Sequence, residues 1–285
     1  MSRPSPERGA LEVRGRRLPW GERTYVMGIV NVTPDSFSGD GVLAPGDALD
    51  RALAQVRRGS DILDVGGEST RPGHEPVDEA GEAARVMPAI RAVRERLPDA
   101  IVSVDTYKPA VARAACEAGA DVINSVWGMP DALLDVAIAF GAPVVIMHNK
   151  ERAEYAGSML DEVLAFLSEA AERAVGRGLP RAHVMVDPGV GFGKTPEHNI
   201  AVLHGLDRVV ALGFPTLLGA SRKSTIGKLT GREPAERTYG TAATTALAVA
   251  AGVDVVRVHD VAETRDVVAV SDAVVRDWRP DGWMR

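Results

Sequence analysis

Cysteine is nearly missing: Cys116 stands alone in 285 residues, which excludes an internal disulfide and a cysteine-only metal cage. It falls in the helical run 110–118, where a buried structural thiol fits better than a nucleophile. Such sparing use of cysteine suits a reducing cytosol. Basic charge is also in short supply. The formal net charge of −6 argues against non-specific nucleic-acid binding. It leaves room for an anionic substrate, because a local cluster of donors overcomes a weakly negative surround. No uninterrupted apolar run reaches the ~18 residues of a membrane helix, so no membrane association is expected. Residues 1–19 carry charges and prolines around no apolar centre, unlike a signal peptide, and Glu7 and Glu12 speak against a transit peptide. The six histidines lack HExxH spacing, so a zinc hydrolase has no support. A nucleotide P-loop is missing too: residues 189–195 resemble its end, but Pro188 holds the place of its first glycine.

What is there reads as an ordinary globular chain, 45% hydrophobic and 25% charged. Short apolar runs at 25–30, 62–65, 101–104, 122–124, 143–147, 183–186, 216–218 and 254–258 have the character of strands buried on both faces of a parallel sheet. Between them lie segments with helical spacing at 48–56, 83–96, 108–118, 132–140, 160–175, 200–211, 236–251 and 261–275. Gly59, Gly119, Gly141, Gly178, Gly213 and Gly252 sit where helices should stop. Eight strands alternating with eight helices predict a single-domain TIM (β/α)8 barrel, a fold of roughly 250 residues. The barrel is assigned to 20–278, with an N-terminal extension at 1–19 and a C-terminal tail at 279–285. Residues 11–18, centred on Gly15, predict a small hairpin under the barrel.

The unusual residues follow the predicted strands, at the rim where barrel enzymes build their sites. The first strand runs into Asn31 and a loop through Gly41, the second into Gly66 and a loop through Gly73. Both loops bear glycine and proline and read as lids. Later strands end at Asp105, Asn124, Met147-His148 and Asp187-Pro188-Gly189. The seventh is followed by Gly219-Ala220-Ser221-Arg222-Lys223-Ser224, and the eighth delivers Arg257 and His259, whose spacing points both to one face. Polar groups at the ends of buried strands are costly unless they meet a ligand, water or each other, so one convergent site is expected.

Local explanations compete at single positions. Asp105 or Asp187 alone reads as a helix N-cap, and Asn31 and Asn124 read as turn residues. His148 reads as structural, or as support behind the ligand-binding residues, rather than catalytic, and His74, His183, His198 and His204 as surface or packing residues. Arg91, Arg94 and Arg96 read as a solvated helix face. Arg71, Lys223 and Arg257 resist such readings, because rim cations need an anionic partner.

The stretch Gly28-Ile29-Val30-Asn31-Val32-Thr33-Pro34-Asp35-Ser36-Phe37 closely resembles the first signature of the dihydropteroate synthases. Asp64-Val65-Gly66-Gly67-Glu68-Ser69-Thr70-Arg71-Pro72-Gly73 resembles the second. Residues 103–106, 187–194, 221–224 and 257–260 follow in the family's order, and the likeness runs over residues 25–275. The resemblance implies a transferase of folate biosynthesis, a sulfonamide target, that joins 6-hydroxymethyl-7,8-dihydropterin pyrophosphate to p-aminobenzoate and releases pyrophosphate. It implies a pterin pocket in which Asp187 takes the 2-amino/N3 edge and Asp105 with Asn124 the opposite edge. Lys223 would reach the O4/N5 side, with Met147 and Phe192 against the ring. Pyrophosphate would lie among Asn31, Arg257 and His259, with Mg²⁺ held by Asn31 and phosphate oxygens.

The same resemblance sets p-aminobenzoate at Thr70, Arg71, Pro72 and Ser224, and makes Asp35, Lys223, Arg257 and His259 the catalytic groups. Arg257→Ala is expected to cripple pyrophosphate handling while sparing pterin binding. A cytoplasmic homodimer is implied by the family alone. Two places depart from its pattern: Ser125 stands where Asp is common, and His148-Asn149-Lys150-Glu151 lacks an expected glycine. They would tune the rim or mark a paralogue. Competing functions are a pterin-binding methyltransferase domain that passes a methyl group to a corrinoid, a Schiff-base aldolase using Lys223, and a non-catalytic pterin-binding paralogue. Pyrophosphate release discriminates among them.

Overall fold

The structure, a computed structural model, describes residues 8–33, 45–69, 76–280 and 282–283. The expected hairpin is present: β1 (Ala10–Val13) and β2 (Arg16–Pro19) pair antiparallel. Between them Arg14 and Gly15 take positive φ, 51° and 70°, the two-residue turn whose twist matches its strands.

Eight parallel strands follow: β3 (Tyr25–Asn31), β4 (Ile62–Gly66), β5 (Ile101–Asp105), β6 (Val122–Ser125), β7 (Val144–Met147), β8 (Val184–Asp187), β9 (Leu217–Leu218) and β10 (Val255–Val258). Each pairs with the next from β3 to β8, and β10 sits between β3 and β9. The ring closes where Val186 bridges Thr216 and donates its N–H to Pro215 O at 2.9 Å. Expected and observed strands agree to within a residue or so at each end.

The helices are α1 (Pro45–Arg57), α2 (Glu79–Arg96), α3 (Pro109–Ala118), α4 (Asp131–Phe140), α5 (Met159–Gly176), α6 (Pro196–His204), α7 (Leu206–Val210), α8 (Ser224–Thr230), α9 (Thr238–Ala251) and α10 (Val261–Val275). Two expectations need correction. The helix expected at 200–211 is two, broken at Gly205, where any side chain would run into Leu160. The one expected from 236 begins at Thr238, after a 3₁₀ turn at Pro234–Glu236. Arg94 is also no solvated residue: it bonds Pro98 O, Ala100 O, Gly119 O and Asp121, while Arg91 and Arg96 are exposed. Among the described residues, no helix is long and apolar enough to cross a membrane.

Strand alternation divides the interior into two levels. Met27, Ile62, Ile101, Val122, Val145, Met185, Leu217 and Val255 cluster inside the barrel with Leu11, Leu18 and Trp20 of the hairpin region, apart from the core between sheet and helices. One side-chain period higher, the inward positions are Asp64, Ser103, Asn124, Met147, Asp187, Gly219 and Arg257. The same period turns Ser125 outward, away from the barrel mouth. An apolar plug therefore lies beneath a polar chamber.

Candidate active site

The chamber is built around a shared guanidinium. Arg257 donates from Nε to Asp64 Oδ2 at 2.6 Å and from Nη2 to Asp105 Oδ2 at 2.7 Å. Asn124 Nδ2 reaches the same Asp64 oxygen at 3.1 Å. Burial works against the Arg257 charge, but Asp64 and Asp105 outweigh it and raise its pKa. Burial lifts the Asp105 carboxyl to about 7 against the pull of Arg257, and the Asp64 charge adds to the rise. Asp64 Oδ1, Asp105 Oδ1 and the inward Ser103 Oγ are buried without a hydrogen-bond partner among the described residues. Buried polar atoms are nearly always paired, so these mark where a ligand or ordered water completes the site.

Across the chamber, Asp187 Oδ1 accepts the Gly189 N–H at 2.8 Å. Gly189 adopts φ 69°, and a Cβ there would run into His148 O. Its loop therefore presses against the end of β7, a closeness that only glycine permits. Burial pushes the Asp187 pKa up, opposed by Lys223. Lys223 donates to Val190 O and lies 4.3 Å above the Phe192 ring. Burial lowers its ammonium to about 8, with Asp187 resisting. A Cβ added at Gly219 would sit 3.9 Å from both Arg257 Cβ and Asp187 Oδ2, so the acids and cations share one mouth. Met147, buried, lies beside the Gly189 turn.

Arg257 and His259 take different neighbours. Past the end of β10, His259 Nδ1 meets Ser221 Oγ at 3.0 Å, and His259 N–H donates to the same oxygen at 3.2 Å. His259 also lines a cavity of about 500 Å³ with Arg51 and Gln55 of α1 and with Arg222 and Asp260. Because Arg257 braces Asp64 and Asp105, its removal disturbs the chamber floor as well. The expectation that Arg257→Ala spares pterin binding is revised accordingly.

The N-cap reading of Asp105 fails: Lys108 holds that position on α3, with no side-chain cap. Asp187 does satisfy a local backbone N–H, yet it also faces Lys223. Ser224 opens α8 and is exposed. His148 is buried beside Lys194. Its Nδ1 lies 2.9 Å from Lys194 Nζ, and burial followed by the Lys194 charge lowers its pKa to about 4. Asp35, Thr70, Arg71 and Pro72 lie outside the described residues. Burial lifts the Cys116 thiol to about 11, which suits a structural role.

Three residues escaped the sequence reading. Asp64 had a signal, since a charge inside an apolar strand is rarely buried without purpose. Arg222 had none: it takes φ 56°, held by Asp260, by Thr241 Oγ1 on its N–H at 3.1 Å, and by Arg237 on its carbonyl at 2.9 Å. A non-glycine residue there carries about 1–3 kcal/mol of strain, which the surrounding bonds hold in place. Lys194 is lowered to about 7 by burial, Asp187 notwithstanding.

For a metal, Asn31 offers one neutral oxygen: a Cβ at Gly66 would lie 3.8 Å from both Asn31 Oδ1 and Asp105 Oδ2. A magnesium ion that arrives with phosphates keeps most of its coordination in phosphate and water, so a single amide suits it.

Acids and an amide lining one chamber at the C-terminal end of the strands, with Lys223 and Arg257 beside them, place the chain among the (β/α)8-barrel enzymes. Residues 27–259 match the family model described as pterin binding enzyme. The chain is 42% identical over 270 residues to the dihydropteroate synthase of Clostridium beijerinckii, covering 93% of this chain and 100% of that one. The structure superposes with a TM-score of 0.86 on the dihydropteroate synthase of Clostridium difficile solved in the presence of pteroic acid, at 44% identity over 90% of this chain and 98% of the other. It superposes equally, at 0.86, on the Xanthomonas albilineans dihydropteroate synthase with 4-aminobenzoic acid, at 41% identity over 97% and 100%. The chain belongs to the pterin-binding enzyme family, among the dihydropteroate synthases.

Proposed function

We propose that this chain condenses 6-hydroxymethyl-7,8-dihydropterin pyrophosphate with p-aminobenzoate to 7,8-dihydropteroate and pyrophosphate. One observation carries the reading. Acceptors with spare capacity, on Asp64 and Asp105, face the same mouth as Asp187, Lys223 and Arg257. The relatives solved with pteroic acid and 4-aminobenzoic acid support it.

In this reading Asp187 accepts from the guanidine-like 2-amino/N3 edge, because one carboxylate takes two such hydrogen bonds. Asp105 and Asn124 hold the opposite edge, Lys223 the O4/N5 side, and Met147 and Phe192 the faces of the ring. Asn31, Arg257 and His259 hold the diphosphate. The bond from the pterin methylene carbon to the diphosphate oxygen breaks, and its electron pair leaves with the diphosphate. Arg257 and His259 stabilise that growing charge as preorganised donors. The ring nitrogens stabilise the methylene cation, Asp35 adds to that stabilisation or orients the amine, and the aniline nitrogen attacks and then loses its proton to water. That amine is already neutral at pH 7, so no strong base is needed. Mg²⁺, held by Asn31 and phosphate oxygens, would neutralise charge on the leaving group. Ser224, with Thr70, Arg71 and Pro72, holds the p-aminobenzoate.

A cytoplasmic homodimer belongs to the same proposal. Its support is an apolar surface on α9 and α10, where Tyr239, Leu247, Val270 and Val274 are exposed. The test is pyrophosphate release with and without p-aminobenzoate and Mg²⁺. Release that needs both substrates supports the reading; pterin binding with no release would make the chain a non-catalytic paralogue.

A further inference from the structure

Asn199, on α6, is 2% exposed, and both poles of its amide are used. Oδ1 accepts the Gly191 N–H at 2.7 Å, and Nδ2 donates to Thr225 Oγ1 at 2.9 Å. A backbone N–H can only donate, so the oxygen must face Gly191 and the amine the threonine; the partners fix the orientation. These partners stand on different walls. Gly191 lies between Val190, whose carbonyl takes the Lys223 ammonium, and Phe192, whose ring that ammonium overlies. Thr225 is the second residue of α8, directly after Ser224. A single buried amide thus spans from the loop that shapes the pterin wall to the helix that begins with the proposed p-aminobenzoate residue.

We propose that Asn199 is a positioning residue that sets the spacing between the two half-sites. It touches neither substrate. Its effect is to hold pterin methylene and arylamine nitrogen at attack distance, where small misplacements slow a two-substrate reaction steeply. The inference rests on the assignment of the two substrates above.

Thr225→Val is the cleanest probe, because it keeps the shape, drops the hydroxyl and leaves the Gly191 bond in place. We expect kcat/KM for p-aminobenzoate to fall about tenfold, the scale of one buried hydrogen bond. The Kd for the pterin pyrophosphate, measured by calorimetry without p-aminobenzoate, should move less than about twofold. Thr225→Ser, which restores the hydroxyl, should recover the original kcat/KM. Asn199→Ala frees the Gly191 loop as well, so it should lower kcat/KM for p-aminobenzoate and also weaken pterin binding, and adding Thr225→Val to it should cost little more. Unchanged kinetics in Thr225→Val, or equal losses for both substrates that track a fall in Tm, would overturn the proposal. A wild-type chain that turns over while these variants match it sinks only this inference. A wild-type chain that releases no pyrophosphate sinks the parent reading as well.

Discussion

The two ends of the barrel treat buried charge in opposite ways. Where the strands begin, Asp61, Asp121 and Asp254 each accept a neighbouring backbone N–H, from Val26, Val102 and Thr216, at 2.9 Å. The same carboxylates take guanidinium groups: Arg23 on Asp61 at 2.7 Å, Arg94 on Asp121 at 2.9 Å, and Arg8 on Asp254 at 2.5 Å. Both oxygens of each are engaged. Toward the other end, Asp64 within β4 and Asp105 at the end of β5 each keep one buried oxygen without a partner among the described residues. The three carboxylates at the strand starts use both oxygens within the chain, whereas Asp64 and Asp105 keep acceptor capacity in reserve. In a barrel, that second end is where chemistry is done.

Four measurements would break or sharpen this contrast. Arg257→Ala should act at the top: pyrophosphate release falls about 10²–10³-fold, as for loss of a preorganised donor. Pterin affinity should fall with it, because Asp64 and Asp105 lose their shared counter-charge. Full turnover in that variant would remove Arg257 from the site. Asp254→Ala should act at the bottom, lowering unfolding stability in urea by about 3–5 kcal/mol, because the buried Arg8–Asp254 ion pair is broken. The molecules that remain folded should keep their KM. Leu11→Ala opens the plug and should cost about 2–5 kcal/mol, again with unchanged KM; a raised KM would show that the two ends are coupled.

The smallest effect concerns pH. Burial lifts Asp105 from 3.8 to about 7, so between those values the folded chain holds a proton that the unfolded chain has released. The Asp105 contribution to stability therefore declines as pH rises through that window. Pterin affinity should move the other way, rising as Asp105 ionises and gains acceptor capacity. Comparing Tm against pH for Asp105→Asn and the original chain checks the first; calorimetry with pterin checks the second. Parallel curves would show that Asp105 ionises normally.

The strands were legible because each is a short apolar run with a polar residue at its end, and the period of two fixes which side faces inward. That pattern was enough to gather Asp105, Asn124, Asp187 and Arg257 at one rim. It could not say what Arg257 touches: a cation beside a proposed diphosphate reads as an anion binder, whereas its nearest partners are two carboxylates from β4 and β5. Asp64 was readable and overlooked; its position inside an apolar strand was the clue. Arg222 and Asn199 were not readable, since a left-handed turn at arginine and an amide bridging two loops depend on contacts between residues far apart in the chain. Gly205, where the helix divides, faces Leu160 near the start of α5, a contact that local sequence does not show.

The hairpin beneath the barrel has a consequence for how the molecule is made. Its seat includes Val255, and Arg8 meets Asp254 across 246 positions of sequence. The plug under the barrel therefore stays incomplete until β10, the last strand in chain order, supplies Val255 and, just ahead of it, Asp254.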